Sequence, residues 1–361
     1  MKTKLLALLL AIATLTTVFC FTGCDVGGAK LEFASNGDGT CSVRLANDNK
    51  ATDIVIPDKS PDGDKVTVVD YFHSTLINSV VIPDSVTTIN ANAFRESSDL
   101  TSVTIGNNVV TIGEEAFKDC KALTSITIPD KVTAIAESTF LGCKSLTSAT
   151  IGNGVKSIAI GAFDCESLAS VKFGSGVEEI DSCAFITTAL NSITVDSNNP
   201  NYYSEGNCLI EKSSNTLVLG CNSSVIPDGV ERIGEYAFSY CAGLTSVDIP
   251  DTVTKIGKEA FHNCSGLTSV TLGDGLLQIG EAAFLGCSAL TDITIPAGVT
   301  GIGPNVFASC SSLSGITFMN PNGWHAHKSQ GGENIHFDNP SWNAQHLTGD
   351  AYWNYSFSRD N

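Results

Sequence analysis

Cysteine is the residue type in this chain that could do the most chemistry, because thiols bind metals, pair as disulfides and act as nucleophiles. Seven of the 13 cysteines occupy one position of a repeated segment: Cys120, Cys143, Cys165, Cys241, Cys264, Cys287 and Cys310. One thiol per repeat, without a Cys-x-x-Cys pair, does not give the ligand spacing of a metal site. Thiols stacked in successive repeats should run parallel and not converge on a disulfide. The pattern therefore predicts a buried ladder of small apolar side chains.

Three further groups of residues outside this ladder could do chemistry. Cys208 and Cys221 lie symmetrically about a predicted turn, so they could form a disulfide or pack as two thiols. His325 and His327 would share one face of a strand, but the spacing fixes no third metal ligand. The Asp62-Gly63-Asp64 segment lacks the remaining acidic ligands of a calcium loop and is interpreted as a turn. No metal and no cofactor are predicted.

The sequence contains no motif of a known catalytic centre. There is no Gly-x-Ser-x-Gly, no His-Glu-x-x-His, no phosphate-binding loop and no dinucleotide fingerprint. Serines and paired carboxylates are frequent, but they recur with the repeat, whereas an enzyme needs one unique constellation in a pocket. The chain is therefore not expected to be an enzyme.

The N-terminus has the features of an exported bacterial protein. Two lysines precede an apolar run from Leu5 to Val18, which is typical of a signal peptide and short for a membrane span. The run ends in Phe-Thr-Gly-Cys, which looks like a lipobox, although Phe21 departs from the usual Leu. We therefore expect residues 1–23 to be a signal peptide and Cys24 to be lipidated, with simple secretion as the alternative. Residues 24–30 would be the tether to the membrane.

A segment of about 23 residues repeats along the chain and must position all of these side chains. Its clearest copy is LTSVDIPDTVTKIGKEAFHNC, from Leu244 to Cys264. A phenylalanine marks each copy: Phe94, Phe117, Phe140, Phe163, Phe185, Phe238, Phe261, Phe284 and Phe307. Seven of the eight steps are 22 or 23 residues, and the step from Phe185 to Phe238 is 53 residues. A fixed period in this range is typical of a leucine-rich-repeat solenoid.

One copy of the repeat predicts a strand, a turn and a loop. The segment SVDIP alternates outward and inward side chains, with Ile249 inward. A second apolar pair, Val253 and Ile256, follows the turn, and Ala260 and Phe261 are predicted on a short helical turn. The predicted fold is a right-handed leucine-rich-repeat rod of ten to twelve repeats. It is mostly β, with a parallel sheet, short helical turns and a cap at each end.

The recurring string L-T-S-V-x-I-P-x-x-V-x-x-I-G-x-x-A-F-x-x-C resembles the BspA-like leucine-rich-repeat family of bacterial cell-surface proteins. The resemblance covers roughly residues 31–320 and is specific, because the whole string recurs. Members of this family are described as surface adhesins and interaction proteins of host-associated bacteria. The resemblance therefore implies a protein partner, either host extracellular matrix or another cell-surface protein.

Irregular segments divide the predicted solenoid. Residues 31–70 are predicted as an N-terminal β-hairpin cap, and leucine-rich repeats follow over residues 71–195 and 223–318. Between the two arrays, residues 196–222 lack the Ala-Phe pair and are predicted to contain an inserted β-hairpin. Residues 319–361 hold all three tryptophans and are predicted to form an aromatic cap on the last repeat.

The chain is acidic, with a formal net charge of −18. This charge should repel nucleic acid and anionic membranes. Nucleic acid is therefore not an expected partner, and contact with a membrane is expected only through the lipid at Cys24.

The outward strand positions form two rows rich in serine and threonine. A β-favouring, soluble filler would produce such rows, and so would a platform that binds a protein or a glycan. The rows are broken at Lys172 and Asp248, and the irregular segment between them contains Tyr202 and Tyr203, a residue type enriched at binding hot spots. These four residues are the predicted binding site, with drift of a degenerate repeat as the alternative.

Two functions from different classes fit these observations. The first is a lipid-anchored adhesin or protein-interaction module exposed on the cell surface. The second is a scaffold inside the cell envelope that binds other envelope proteins or glycans. Binding of ordered water by a regular hydroxyl grid, as in ice-binding solenoids, is a third reading of the same rows.

Overall fold

Stacked repeats wind the chain into a β-solenoid of about 12 turns with parallel sheets, as the period predicts. A computed structural model describes residues 21–327, 332–335, 339–348 and 355–359. The predicted signal peptide therefore lies almost entirely outside the described residues. The short period explains the architecture, because one repeat cannot bury its apolar side chains until its neighbours stack on it.

Each regular repeat contributes one strand of three or four residues to what we call the first row. Its strands are β4 (Asp53–Val55), β6 (Ser79–Val81), β8 (Ser102–Thr104), β10 (Ser125–Thr127), β12 (Ser148–Thr150), β14 (Ser170–Phe173), β16 (Ser192–Val195), β21 (Ser246–Ile249), β23 (Ser269–Leu272), β25 (Asp292–Ile295) and β27 (Gly315–Phe318). Neighbours pair in parallel at matched repeat positions, as Ser125 with Ser148 and Thr127 with Thr150. Alternation buries Ile126 and leaves the hydroxyl side chains outward.

A second row of parallel strands follows the turn in each repeat, and the sequence did not indicate these strands. They are β5 (Lys65–Val69), β7 (Thr88–Ile89), β9 (Thr111–Ile112), β11 (Ala134–Ile135), β13 (Ser157–Ile158), β15 (Glu179–Ile180), β20 (Arg232–Ile233), β22 (Lys255–Ile256), β24 (Gln278–Ile279) and β26 (Gly301–Ile302). Ile256 is buried and pairs with Ile233 and Ile279. Most of these strands have two residues, which is too short for an alternating pattern to reveal them.

The Ala-Phe pair lies in a loop of successive hydrogen-bonded turns, at the place of the predicted short helical turn. Phe261 N–H donates to the Ala283 carbonyl at 2.7 Å, and Glu259 N–H donates to the Glu281 carbonyl at 2.9 Å. Glu259 has a φ of 52°, in the left-handed region that a right-handed helix does not use. Some backbone donors of this loop thus bond to the next repeat, as a third ladder. Others bond within the loop, as the Cys264 N–H does to the Phe261 carbonyl at 3.2 Å.

Phenylalanine rings stack along the core beside this loop ladder. The ring of Phe261 is fully buried, with its centroid 4.9 Å from that of Phe238 and 5.1 Å from that of Phe284. The planes of these rings are within 7° of parallel. Phe185 ends the first stack and meets Phe173 edge-on at 5.7 Å. The inward assignment of the phenylalanines is therefore confirmed, and the stack is broken at the irregular repeat.

The cysteine ladder lies beside the rings, and its thiols donate hydrogen bonds. Cys264 Sγ–H donates to the Phe238 carbonyl at 3.0 Å, and Cys120, Cys143, Cys165, Cys287 and Cys310 make the same contact. Ser97 takes this position in an earlier repeat and donates to the Phe72 carbonyl at 3.4 Å. The position therefore selects a small side chain with a donor. Burial raises the pKa of Cys241 to about 12, which makes its thiolate unavailable for chemistry.

The N-terminal segment is an antiparallel sheet of β1 (Phe21–Val26), β2 (Ala29–Ser35) and β3 (Thr40–Leu45). β3 then pairs in parallel with β5 and joins the sheet to the second row. Residues 24–30, the predicted tether, lie in the β1–β2 hairpin. Gly27 and Gly28 make its turn in the left-handed region, with φ of 60° and 89°. Cys24 lies opposite Leu31 in this hairpin.

The irregular repeat folds as a three-stranded antiparallel meander of β17 (Tyr202–Glu205), β18 (Cys208–Glu211) and β19 (Thr216–Leu219). β19 pairs in parallel with β20, so the meander continues the second row. β18 is buried on both faces. Its Leu209 belongs to the apolar cluster of the preceding repeats, whereas Ile210 belongs to that of the following repeats. The meander therefore divides the hydrophobic core into two clusters.

The C-terminal segment consists of β28 (Trp324–His327), β29 (Gly332–Ile335), α1 (Pro340–Leu347) and β30 (Ser356–Arg359). β30 pairs antiparallel with β26 and with β28. The buried ring of Trp324 meets Phe318 edge-on at 5.3 Å, and Asn343 donates to the Ile316 carbonyl at 2.8 Å. These contacts cover the last repeat. The side chain of Trp342 and all of Trp353 lie outside the described part of the chain.

Candidate functional site

Lys172 is exposed on the outward face of the first row. It stands on β14, in register with Thr150 on one side and Thr194 on the other. It lines a groove of about 450 Å³ together with Asp130 and Asp196. Among the described residues its ammonium group has no ion-pair partner. Lys172 is thus an accessible cation on a hydroxyl-rich face.

Asp248 is exposed on the same face, on β21, in register with Thr271 of β23. The outward positions of Thr194 and Val225 separate it from Lys172. The meander also intervenes, because the Val225 N–H bonds to the Gly206 carbonyl and β14 and β21 belong to separate sheets. The fold therefore places both predicted residues on one face without bringing them together.

Val225 is an exposed apolar residue that our reading of the sequence did not single out. Its side chain is 71% exposed, and its N–H donates to the Gly206 carbonyl at 2.8 Å. It occupies the outward position that threonine takes in most repeats. Its position in the repeat could have identified it, because most other repeats have threonine there. Folding does not require an exposed valine at that position.

The two adjacent tyrosines of the meander have different environments, because successive residues of a strand point to opposite faces. Tyr202 is buried, with 5% exposure, and its hydroxyl donates to the Glu178 carbonyl at 3.1 Å. It joins the meander to the second row and is not part of an exposed binding surface. Tyr203 is half-buried against the apolar cluster of the following repeats, and burial raises the pKa of its hydroxyl.

Cys208 and Cys221 are buried free thiols, which is the second of the two alternatives that the sequence left open. Cys221 Sγ lies 3.4 Å from the Asn207 carbonyl, and Cys208 Sγ lies 3.7 Å from the Val225 carbonyl. Burial raises the pKa of Cys208 to about 12. Both thiols pack the junction between the meander and the first row.

A groove of about 550 Å³ lies beside the meander, on the side of the second row. We call it the junction groove, and its lining is Ile180, Asp181, Ser182, Thr216, Val218, Arg232, Gly234, Glu235, Lys255, Gly257, Lys258, Gly280 and Glu281. It opens where the irregular repeat supplies Gly220 in place of an Ala-Phe loop. Gly220 N–H donates to the Ala237 carbonyl at 2.7 Å and continues the third ladder there.

Within the described ranges, no three His, Cys, Asp or Glu side chains are grouped as metal ligands. His325 lies on β28, and the side chain of His327 lies outside the description. Asp62-Gly63-Asp64 is a turn, with Gly63 at a φ of 93°. No helix among the described residues is both long and apolar enough to cross a membrane.

The fold and its exposed rows define a leucine-rich-repeat solenoid with flat, accessible strand surfaces. A model of the BspA-type leucine-rich-repeat region matches residues 67–191 and 212–323 in six copies. The chain therefore belongs to the BspA-type leucine-rich-repeat family, as its recurring string indicates. The stretch left unmatched between the two segments contains β17 and β18, where the repeat is irregular.

Solved structures of other bacterial proteins share this fold. A leucine-rich cell surface protein from Faecalibacterium prausnitzii is 27% identical, with 91% of this chain and 98% of that protein covered and a TM-score of 0.59. The pneumococcal vaccine antigen PcpA is 21% identical, with 83% of this chain and 82% of that chain covered and a TM-score of 0.68. At this identity the second likeness concerns the fold alone. No curated protein matches the sequence.

Proposed function

We propose that this chain is a non-enzymatic, lipid-anchored protein of the cell surface that binds another protein through its first row of strands. The observation that carries the proposal is the outward face of that row, which holds side chains at a fixed spacing on a paired backbone. Such a surface is rigid before binding, so that little conformational entropy is lost when a partner docks.

The proposed contact region is the outward face between β14 and β21. Here the hydroxyl pattern is replaced by a cation at Lys172, an apolar side chain at Val225 and an anion at Asp248. A protein partner can match three such groups spread over several strands, whereas a small molecule is too short to reach all of them. Tyr203, at the edge of the meander, lies between Lys172 and Val225 in the chain. Tyr202 is excluded by its burial.

Family membership supports the proposed location at the cell surface and the proposed protein partner. The F. prausnitzii protein is described as a cell surface protein, and leucine-rich-repeat solenoids present extended surfaces for binding. Host extracellular matrix proteins and other cell-surface proteins are therefore the partners to test first. Glycans form a second class to include.

The test of the contact region is a triple variant, Lys172→Thr, Val225→Thr and Asp248→Thr, which restores the threonine row. Purified wild type and variant would be compared for binding to immobilised extracellular matrix proteins and envelope extracts. For any partner captured by the wild type, we expect the variant to lose about 2 kcal/mol, roughly thirtyfold in affinity. Lys156→Ser, at an exposed position directly before β13 of the second row, is the matched control. A folded triple variant with wild-type affinity would place the contact elsewhere.

The test of the anchor is Cys24→Ala. With Cys24 acylated, the wild type should partition with membranes, and the variant should be released or remain unprocessed. Metabolic labelling with a fatty-acid analogue is the direct measurement, and label that persists in the variant would disprove lipidation at Cys24. Protease treatment of intact cells distinguishes an outward-facing protein, which is digested, from a scaffold inside the envelope, which is protected.

A further inference from the structure

We propose that the junction groove is a second binding site, which takes an extended peptide segment containing an acidic, an aliphatic and a basic residue. This site is separate from the first-row surface and does not depend on it. Three properties of the groove carry the inference: a wall of cations, a facing wall of carboxylates and a floor of glycines with two aliphatic side chains.

The cationic wall is formed by Arg232 and Lys255. They are register partners on the neighbouring strands β20 and β22, and both are exposed. Neither has an ion-pair partner among the residues described, and the adjacent Glu231 instead accepts a hydrogen bond from Asn215 at 3.0 Å. Like charges opposite each other destabilise a sheet. The pair of cations does not stabilise the fold. A carboxylate of the peptide ligand, bound between the two cations, would explain the pair.

The facing wall is acidic, with Asp181, Glu235 and Glu281 all exposed. Lys258 lies 3.6 Å from Glu281 and compensates only part of this charge. A polyanion such as a sulfated glycan would be attracted by one wall and repelled by the other. A ligand with both signs of charge is complementary to both walls.

The floor explains why the ligand should be an extended peptide. Gly234, Gly257 and Gly280 leave it without side chains, because a Cβ at Gly257 would lie 2.7 Å from the Gly234 carbonyl carbon. Val218 and Ile180 are half-buried and give the floor an apolar end. Four of the lining strands, β19, β20, β22 and β24, pair side by side and span about 14 Å, or about four residues of extended chain. A strand in this groove could place an aliphatic side chain on Val218 and its charged side chains on the walls.

The probe is a fluorescein-labelled, end-blocked peptide of sequence Gly-Asp-Gly-Val-Gly-Lys-Gly, with fluorescence polarisation as the measurement. We expect saturable binding to the full chain and at least tenfold weaker binding to the Arg232→Ser, Lys255→Ser double variant. The Glu235→Gln, Glu281→Gln double variant should also bind the peptide more weakly, because it removes two carboxylates from the other wall. The Lys50→Ser, Lys121→Ser double variant is the control, because it removes two exposed positive charges outside the groove. It should bind the peptide with unchanged affinity, and so should the first-row triple variant.

Two comparison ligands decide the chemistry of the site. A peptide with Asp in place of Lys, and heparin, should both bind more weakly than the mixed-charge peptide. The proposal is overturned if either binds more tightly, or if no mixed-charge binding is detected at millimolar peptide. It is also overturned if the Arg232, Lys255 double variant binds as well as the wild type while its circular dichroism shows a native fold.

Discussion

At single positions of the repeat, the type of side chain depends on the residues that contact it from the neighbouring repeats. Phe261 is fully buried between Phe238 and Phe284, at centroid distances of 4.9 and 5.1 Å. We expect Phe261→Ala to reduce the free energy of unfolding by about 3–5 kcal/mol, since it opens a cavity inside the ring stack. Urea denaturation measures this loss. The exposed Thr271→Ala is the control and should change stability by less than about 0.5 kcal/mol. A loss below about 1 kcal/mol for Phe261→Ala would contradict the burial of its ring.

A second prediction at this scale concerns pH. Burial raises the pKa of Asp164 above its ordinary value of 3.8, and the hydroxyl of Thr187 donates to its carboxylate. The folded state therefore binds the Asp164 proton more tightly than the unfolded state does. Its contribution to stability is present below pH 4 or so and is lost as pH rises through the raised pKa.

The variant Asp164→Asn tests this sign. Asparagine is neutral at every pH and can still accept from the Thr187 hydroxyl. We expect the variant to gain stability relative to the wild type between pH 4 and pH 7, as measured by urea midpoints. Glu137→Gln, at an exposed carboxylate of the neighbouring repeat, is the control and should not show this trend. A stability difference that does not change with pH would refute the assignment.

At the scale of one element, the meander replaces a whole Ala-Phe loop with a glycine. A Cβ on Gly220 would lie 2.0 Å from Cε1 of Phe238, whose ring is fully buried and cannot move aside. We therefore expect Gly220→Ala to cost about 1–3 kcal/mol through overpacking. Gly301→Ala is the matched control, because the atom nearest to its new Cβ is Gln278 Cγ at 3.8 Å. If both variants unfold at the same urea concentration, Gly220 is not the constraint that we infer.

At the scale of the whole molecule, the divided core predicts two cooperative units. Contacts in a solenoid join neighbouring repeats only, so a break in the apolar core weakens the coupling across it. Trp324 is buried in the second cluster and no tryptophan precedes it in the sequence, so tryptophan fluorescence reports on the C-terminal unit, whereas circular dichroism reports on both. Phe117 and Phe284 are matched, fully buried rings in the two units.

We expect Phe284→Ala to lower the urea midpoint of tryptophan fluorescence. Phe117→Ala should lower the midpoint of the circular-dichroism signal and leave that of the fluorescence in place. A fluorescence midpoint that moves equally in the two variants would mean that the solenoid unfolds as one unit and that the meander transmits stability instead of interrupting it.

Much of this architecture follows from the sequence by itself. The fixed period, the alternating SVDIP segment and the phase of Phe261 and Cys264 predict stacked parallel strands and buried ladders, because each repeat buries its apolar side chains only against its neighbours. The same phase identifies Lys172 and Asp248 as outward. These predictions rest on spacing along the chain. In a repeat protein, a fixed spacing in the sequence places equivalent side chains on top of one another in the fold.

Only the tertiary structure decided what happens where the period fails. Tyr202 and Tyr203 are adjacent in sequence, yet one is buried beneath the Glu178 carbonyl and the other is half-exposed, because β17 turns one inward. The two-residue strands of the second row are too short to leave a pattern. The junction groove brings Asp181 towards Arg232 across an insertion whose path no repeat dictates. Such non-local contacts depend on how the meander packs between two cores, and spacing in the sequence does not encode that packing.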